Sequence, residues 1–176
     1  MLTADVLGEA LPSTDPVFLT FLGVHVVAGL TAVVTGATAS LARKGGPRHV
    51  RAGRWYYRAI RVVAATATVM AALRWRQDAY LFALGAVAFG AATVGYLHRR
   101  RHRPGHTPHI VGMGASFVVL LTAFYVDNGP RLPLLEHLPT LVFWLAPTAI
   151  GAPLIARAVV RARQLQPLVV PHPSHT

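Results

Sequence analysis

The sequence predicts an all-α fold: a polytopic membrane protein built as a bundle of five transmembrane helices, with its N-terminus outside and its C-terminus in the cytoplasm. Three observations predict it. Apolar residues make up 53% of the 176-residue chain and charged residues only 13%, a composition greasier than a soluble domain of this size carries. The apolar residues fall in blocks, several of them near the twenty or so residues that take a helix across roughly 30 Å of hydrocarbon. The basic residues stand between those blocks, as in the cytoplasmic loops of membrane proteins.

Residues 1–16 carry Asp5, Glu9 and Asp15 and no Lys or Arg. A cleaved secretory signal begins with positive charge, so this stretch reads as a retained polar leader outside the membrane. The transmembrane domain follows over 17–163. Its first span, 17–42, has no formally charged side chain and is stopped by the basic, glycine-containing loop Arg43-Lys44-Gly45-Gly46-Pro47-Arg48. The second, 54–75, contains Arg58 and Arg61 and leaves only 62–73 uncharged. It spans if those arginines snorkel to one interface or face the bundle while Arg74 does so at the other. Trp55, Tyr56, Tyr57 and Trp75 are the interfacial aromatics such a span carries.

The third span, 79–98, is closed by His98-Arg99-Arg100-Arg101-His102-Arg103-Pro104-Gly105, where charge and Pro-Gly end the helix together. The fourth, 109–127, ends at the turn signal Asp127-Asn128-Gly129-Pro130. The fifth, 138–160, starts beside Pro139 and holds Pro147, which removes a hydrogen bond from the Phe143 carbonyl and predicts a kink. Residues 164–176 hold three prolines and no periodic pattern, and read as a flexible cytoplasmic tail.

Counting charges tests this arrangement. Five spans place the 43–61 segment, the 99–103 loop and the C-terminal end of the last helix on one side, where they hold seven, four and three of the 17 basic residues. Only Arg74, Arg76 and Arg131 fall on the other side, with all six acidic residues. A wrong helix count scrambles this segregation, and the basic side is cytoplasmic.

Helices in lipid associate through small residues and interhelical hydrogen bonds. In the first span His25, Gly29, Ala32, Gly36 and Ser40 follow at steps of four, three, four and four, which predicts one buried face. Gly85, Ala88, Ala92 and Gly95 do the same in the third span, and Gly112, Ser116 and Ala123, with His109 and Asp127 near the ends, in the fourth. Faces rich in Leu, Val and Phe are expected to meet lipid.

The formal charge of +11 suggests nucleic acid in a soluble protein, but the placement of the basic residues between apolar blocks argues against that partner. The absence of cysteine removes thiol chemistry and cysteine-ligated metals. No nucleophile–base pair, paired carboxylates or phosphate-cradling loop is present, so no residue is assigned a catalytic role and no metal site is predicted. His25, about 12 Å into the first helix, is the first candidate. It reads as an axial ligand for haem b or a metal, as a proton relay, or as a neutral imidazole donating to a carbonyl or hydroxyl on a neighbouring helix. His137 is the one plausible second haem ligand and lies shallow. His98 and His102 have the four-residue spacing of metal ligands, but the arginines around them repel a divalent cation. Arg54, Arg58 and Arg61, at steps of four and three, form a basic face suited to lipid headgroups or a small anionic solute. Asp127 reads as a turn or cap residue.

The chain resembles a family of small bacterial membrane proteins known as domain of unknown function 2306. The resemblance rests on His25-Val-Val-Ala-Gly29, on Lys44-Gly45-Gly46, on His49-Val50-Arg51-Ala52-Gly53-Arg54-Trp55-Tyr56, and on His109-Ile110, Met113-Gly114-Ala115-Ser116 and Leu121-Thr122-Ala123-Phe124. The family's usual form has Arg directly after the loop histidine, where this chain has Val50. The resemblance implies a bacterial cytoplasmic membrane location and marks His25, His49, Gly53, Arg54 and Tyr56 as motif positions without a role. The expected function is that of a non-enzymatic membrane protein contacting lipids and other membrane subunits. The rivals are a haem- or metal-binding redox protein using His25, and a binder or carrier of an anionic solute or headgroup using Arg54, Arg58 and Arg61.

Overall fold

The computed structural model describes residues 16–73 and 78–165 in full, and the backbone at 5–6, 9–10 and 75–77. The expected leader and tail fall mostly on residues outside these, as do the side chains of Arg74, Trp75 and Arg76. Apart from a two-residue pairing of Asp5–Val6 with Glu9–Ala10, the elements among the described residues are all helices. Its five helices are α1 (Pro16–Leu41), α2 (Pro47–Leu73), α3 (Trp75–Arg100), α4 (Thr107–Asn128) and α5 (Thr140–Gln164). Four of them, all but α2, are long and apolar enough to cross a membrane.

α2 starts seven residues before the sequence-predicted 54. Pro47 explains the difference: its fixed φ suits the first helical turn, and its missing N–H is one the helix leaves unbonded there anyway. The loop therefore shrinks to 42–46, with Gly45 in the left-handed region at φ +78°, and His49, Arg51 and Gly53 become helical. α2 is also the helix with the most buried positions, among them Ala52, Tyr56, Ala59, Ile60, Val63, Thr66, Ala67 and Ala71. Its one apolar face fills the centre of the bundle, so it has less need of apolar residues all round.

Consecutive helices pack against each other, α1 also reaches α4, and α5 rests chiefly on α4. The core is Ala28, Ala32, Tyr56, Ala59, Ile60, Val63, Ala88, Ala92 and Leu120, dominated by small side chains that let backbones approach. At the α3–α4 crossing backbone meets backbone. A Cβ on Gly112 would lie 2.7 Å from both the Ala91 carbonyl oxygen and the Gly95 nitrogen. Gly36 is filled in the same way by the Phe117 ring, and Gly129 by the Phe143 ring.

The predicted α1 stripe holds in part. Ala32 and Gly36 are buried with Ala28, but Ser40 is exposed and Gly29 faces open space. At 3.6 residues per turn, the fifteen residues from His25 to Ser40 drift about 60° off one face, which carries Ser40 out of the contact. The Asp127–Pro130 segment does not reverse the chain. It prolongs α4 as a 3-10 turn, Gly129–Arg131, with Gly129 right-handed at φ −51°, and the return runs through 132–139. Asp127 does not cap α4 with its carboxylate either. Asn128 Nδ2 donates to the Phe124 carbonyl and an Arg131 guanidinium nitrogen to the Asp127 carbonyl.

Candidate functional site

Two polar constellations lie inside the bundle, and one basic face lies outside it. The first is built on His25 of α1. Its Nδ1 is 2.8 Å from Thr66 Oγ1 of α2. The Thr66 hydroxyl sits 2.8 Å from the Val62 carbonyl and 3.0 Å from the Val63 carbonyl, to which it donates. A hydroxyl whose one proton is so engaged accepts from the imidazole, which puts the His25 proton on Nδ1 and leaves Nε2 with a lone pair. The Val63 carbonyl is a further acceptor for the ring, and the Asp127 carboxylate of α4 lies near enough for its charge to act on it. Tyr80 of α3 also lies near enough to the Asp127 carboxylate for its charge to act on the phenol. Four helices thus each contribute one polar group toward the end where α1 begins and α4 ends.

The second constellation lies toward the other end. His49 Nδ1 donates to the Ala39 carbonyl of α1 at 2.9 Å, and His109 Nδ1 donates to the Gly95 carbonyl of α3 at 3.0 Å. The two rings meet edge to face with centroids 6.1 Å apart. One level deeper, Tyr56 and Ser116 share a buried hydrogen bond of 2.7 Å. Tyr56 follows His49, and Ser116 follows His109, by seven residues, so α2 and α4 run parallel in one register. Beside them Tyr57 stacks on Tyr96 at 4.1 Å and lies 3.3 Å from the Thr93 hydroxyl. Lys44 closes α1 by donating to the Ala39 and Ser40 carbonyls at 3.1 and 2.6 Å, and partial burial holds its ammonium below the usual lysine pKa.

The structure brings His49, Tyr56 and His109 together and leaves Gly53 half-buried in open space. His98 is not aimed at His102: its Nε2 meets the Pro104 and Gly105 carbonyls at 3.1 and 3.0 Å, closing the basic loop. His137 is exposed beside Glu136, 3.5 Å away. Among the described residues, no three His, Asp or Glu side chains gather as metal ligands. Arg54, Arg58 and Arg61 are all exposed on the outward face of α2, with the Arg58 guanidinium 5.1 Å from the centre of the Trp55 ring.

Sequence reasoning missed Thr66, Tyr80 and the partner of Tyr56. For Ser116 a signal existed in the matched seven-residue steps. Thr66 carried none, because a threonine hydroxyl in an apolar helix more often bonds its own backbone, and Tyr80 carried none, because a tyrosine near the end of a span reads as an interfacial aromatic.

Comparison with protein-family models, curated proteins and solved structures returns no match.

Proposed function

We propose that this chain is a five-span integral membrane protein of a bacterial cytoplasmic membrane, N-out and C-in, and that it serves as a non-enzymatic accessory subunit of a larger membrane assembly. One observation carries the reading: the interior of α1–α4 is used for self-association. His25–Thr66, Tyr56–Ser116, His49–Ala39 and His109–Gly95 each join two helices, and small residues fill the crossings. What the molecule offers to others is then its outward surface. α2 counts as a span because its apolar face is covered by the bundle and because the segregation of charge requires it. Kinship with the domain of unknown function 2306 family is part of the same proposal, on the His49–Tyr56 motif.

Purification from native membranes in mild detergent tests it. Stoichiometric co-eluting membrane proteins are expected, and a lone monomer contradicts the reading.

A second reading is favoured by the convergence of His25, Thr66, Tyr80 and Asp127: a protonatable or haem-ligating centre at His25. An absorption spectrum of protein made with haem supplied decides the haem form. A Soret band lost in His25→Ala supports it, and its absence, or an unchanged band in the variant, rejects it. The exposed Arg54, Arg58 and Arg61 keep an anion- or headgroup-binding role as the third reading, tested by binding to the Arg58→Ala/Arg61→Ala protein.

A further inference from the structure

The outward face of α2 repeats every three or four residues as Arg51, Arg54, Arg58, Arg61, Ala65, Thr68 and Ala72, all exposed. Its depth follows from the cross-bundle contacts. His25 meets Thr66, and Gly36 meets Tyr56, so Arg61 of the antiparallel α2 stands level with about Leu30 of α1. Tyr56 meets Ser116, and His49 meets His109, so Arg61 stands level with Leu121 of the parallel α4, and Arg58 with Val118. The midpoint of α1 (Pro16–Leu41) falls at Ala28–Gly29 and that of α4 (Thr107–Asn128) at Phe117–Val118. Both registers put Arg61 within a turn of the middle of helices long enough to span a membrane.

An arginine at that depth faces a bundle interior or a water-filled cavity, or pairs with an opposite charge. This one points out of the bundle. Arg58, level with the midpoint of α4, is comparably deep, but its guanidinium is drawn 5.1 Å over the Trp55 ring, back toward the near interface, and Arg51 and Arg54 reach headgroups by snorkelling. Arg61 is about 10 Å deeper than Arg54 at the helical rise, too deep for the same solution. A second copy of the chain offers no relief. Among the described residues the acidic side chains, Asp78, Asp127 and Glu136, all lie at the opposite end of the bundle, so a parallel copy sets arginine against arginine.

Building on the accessory-subunit reading, we infer that the outward face of α2 docks a transmembrane helix of a different protein that carries a carboxylate at the level of Arg61. Ala65, Thr68 and Ala72 above it allow that helix a close backbone approach. The ion pair at Arg61 fixes its height.

Photo-crosslinking residues placed at Ala65, Thr68 and Ala72 on this face, and at Val27, Val87 and Ile150 on the outward faces of α1, α3 and α5, test the inference in native membranes. The expected result is a discrete adduct with one heterologous membrane protein from the α2 positions. Its membrane segment holds an Asp or Glu, the adduct falls at least tenfold in Arg61→Ala, and it returns when Arg61→Glu is combined with Lys at the partner's carboxylate. Lipid adducts alone from α2, a homodimer adduct, or an adduct indifferent to Arg61 overturns the inference. Protein adducts from Val27, Val87 or Ile150 with only lipid at α2 leave the accessory reading standing and remove this surface. Lipid adducts from every position remove both. Folding of each variant is checked by the elution profile, and Arg61→Leu, which suits lipid directly, is expected to insert normally while losing the adduct.

Discussion

Tyr56 and Ser116, sixty residues apart in the chain, share a 2.7 Å hydrogen bond in the buried centre of the bundle. The bond joins α2 to α4, the two helices that meet across the core through side chains, and it sits one level below the edge-to-face His49–His109 pair. Both residues expose 2% or less of their surface, so neither hydroxyl has water as an alternative partner.

Tyr56→Phe leaves the Ser116 hydroxyl without its partner across the bundle, and Ser116→Ala strands the phenol. Each is expected to cost about 0.5–2 kcal/mol of stability in detergent. The double variant should cost less than the sum, since the interaction is lost once. Unfolding midpoints of the four proteins check this.

The glycines differ in what a methyl group would meet. Gly112→Ala drives a Cβ into the α3 backbone and should cost about 1–3 kcal/mol, whereas Gly90→Ala, with no atom within 4 Å of the added carbon, should be neutral or mildly stabilising. Thermal unfolding of the two variants side by side separates backbone contact from helix propensity. Equal losses would deny the close α3–α4 crossing.

His25 and Thr66 should respond asymmetrically. Thr66 already donates to its own helix, so His25→Leu removes a polar group and leaves no partner stranded. Thr66→Val removes the hydroxyl that accepts from His25 and should be the more damaging by about 1 kcal/mol. A larger loss in His25→Leu would show that the ring does more than the hydrogen bond.

Lys44 closes α1 on the basic side. Lys44→Met retains much of the apolar stem and removes the two carbonyl contacts, and is expected to destabilise by about 0.3–1 kcal/mol. Hydrogen exchange at the end of α1, Thr38 to Ala42, should rise locally while the α3–α4 amides keep their protection.

Much of the fold was legible because hydropathy and charge act over whole segments. The spans 17–42 and 109–127 cannot be anything but long buried or lipid-facing helices, and the small-residue faces of α3 and α4 follow from spacing alone. The start of α2 was misplaced because Arg48 and Arg51 look like loop, whereas helix geometry tolerates charge wherever one face stays outside. The drift of Ser40 and the 3-10 turn at Gly129 depend on where neighbouring helices cross, which single-chain periodicity does not contain. Of the candidate residues, His25 was visible as an ionisable group in an apolar helix, His49 only as a motif position of the resemblance, and His109 as a motif residue near the start of the fourth span. Their partners were not, since the Thr66 hydroxyl and the Ala39 and Gly95 carbonyls are chosen by packing. The outward direction of Arg58 and Arg61 likewise depends on which side of α2 the core occupies.

The chain has no cysteine, so single cysteines give a clean reading of the five-crossing topology on which the proposed function depends. Cysteines at the exposed positions Arg43, Arg101 and Leu134 are to be labelled with a membrane-impermeant maleimide in intact cells and in inverted vesicles. Arg43→Cys and Arg101→Cys are expected to react only in inverted vesicles and Leu134→Cys only in cells. Arg43→Cys and Arg101→Cys reacting from opposite sides would mean that α2 and α3 do not both cross, and would contradict the five-crossing topology.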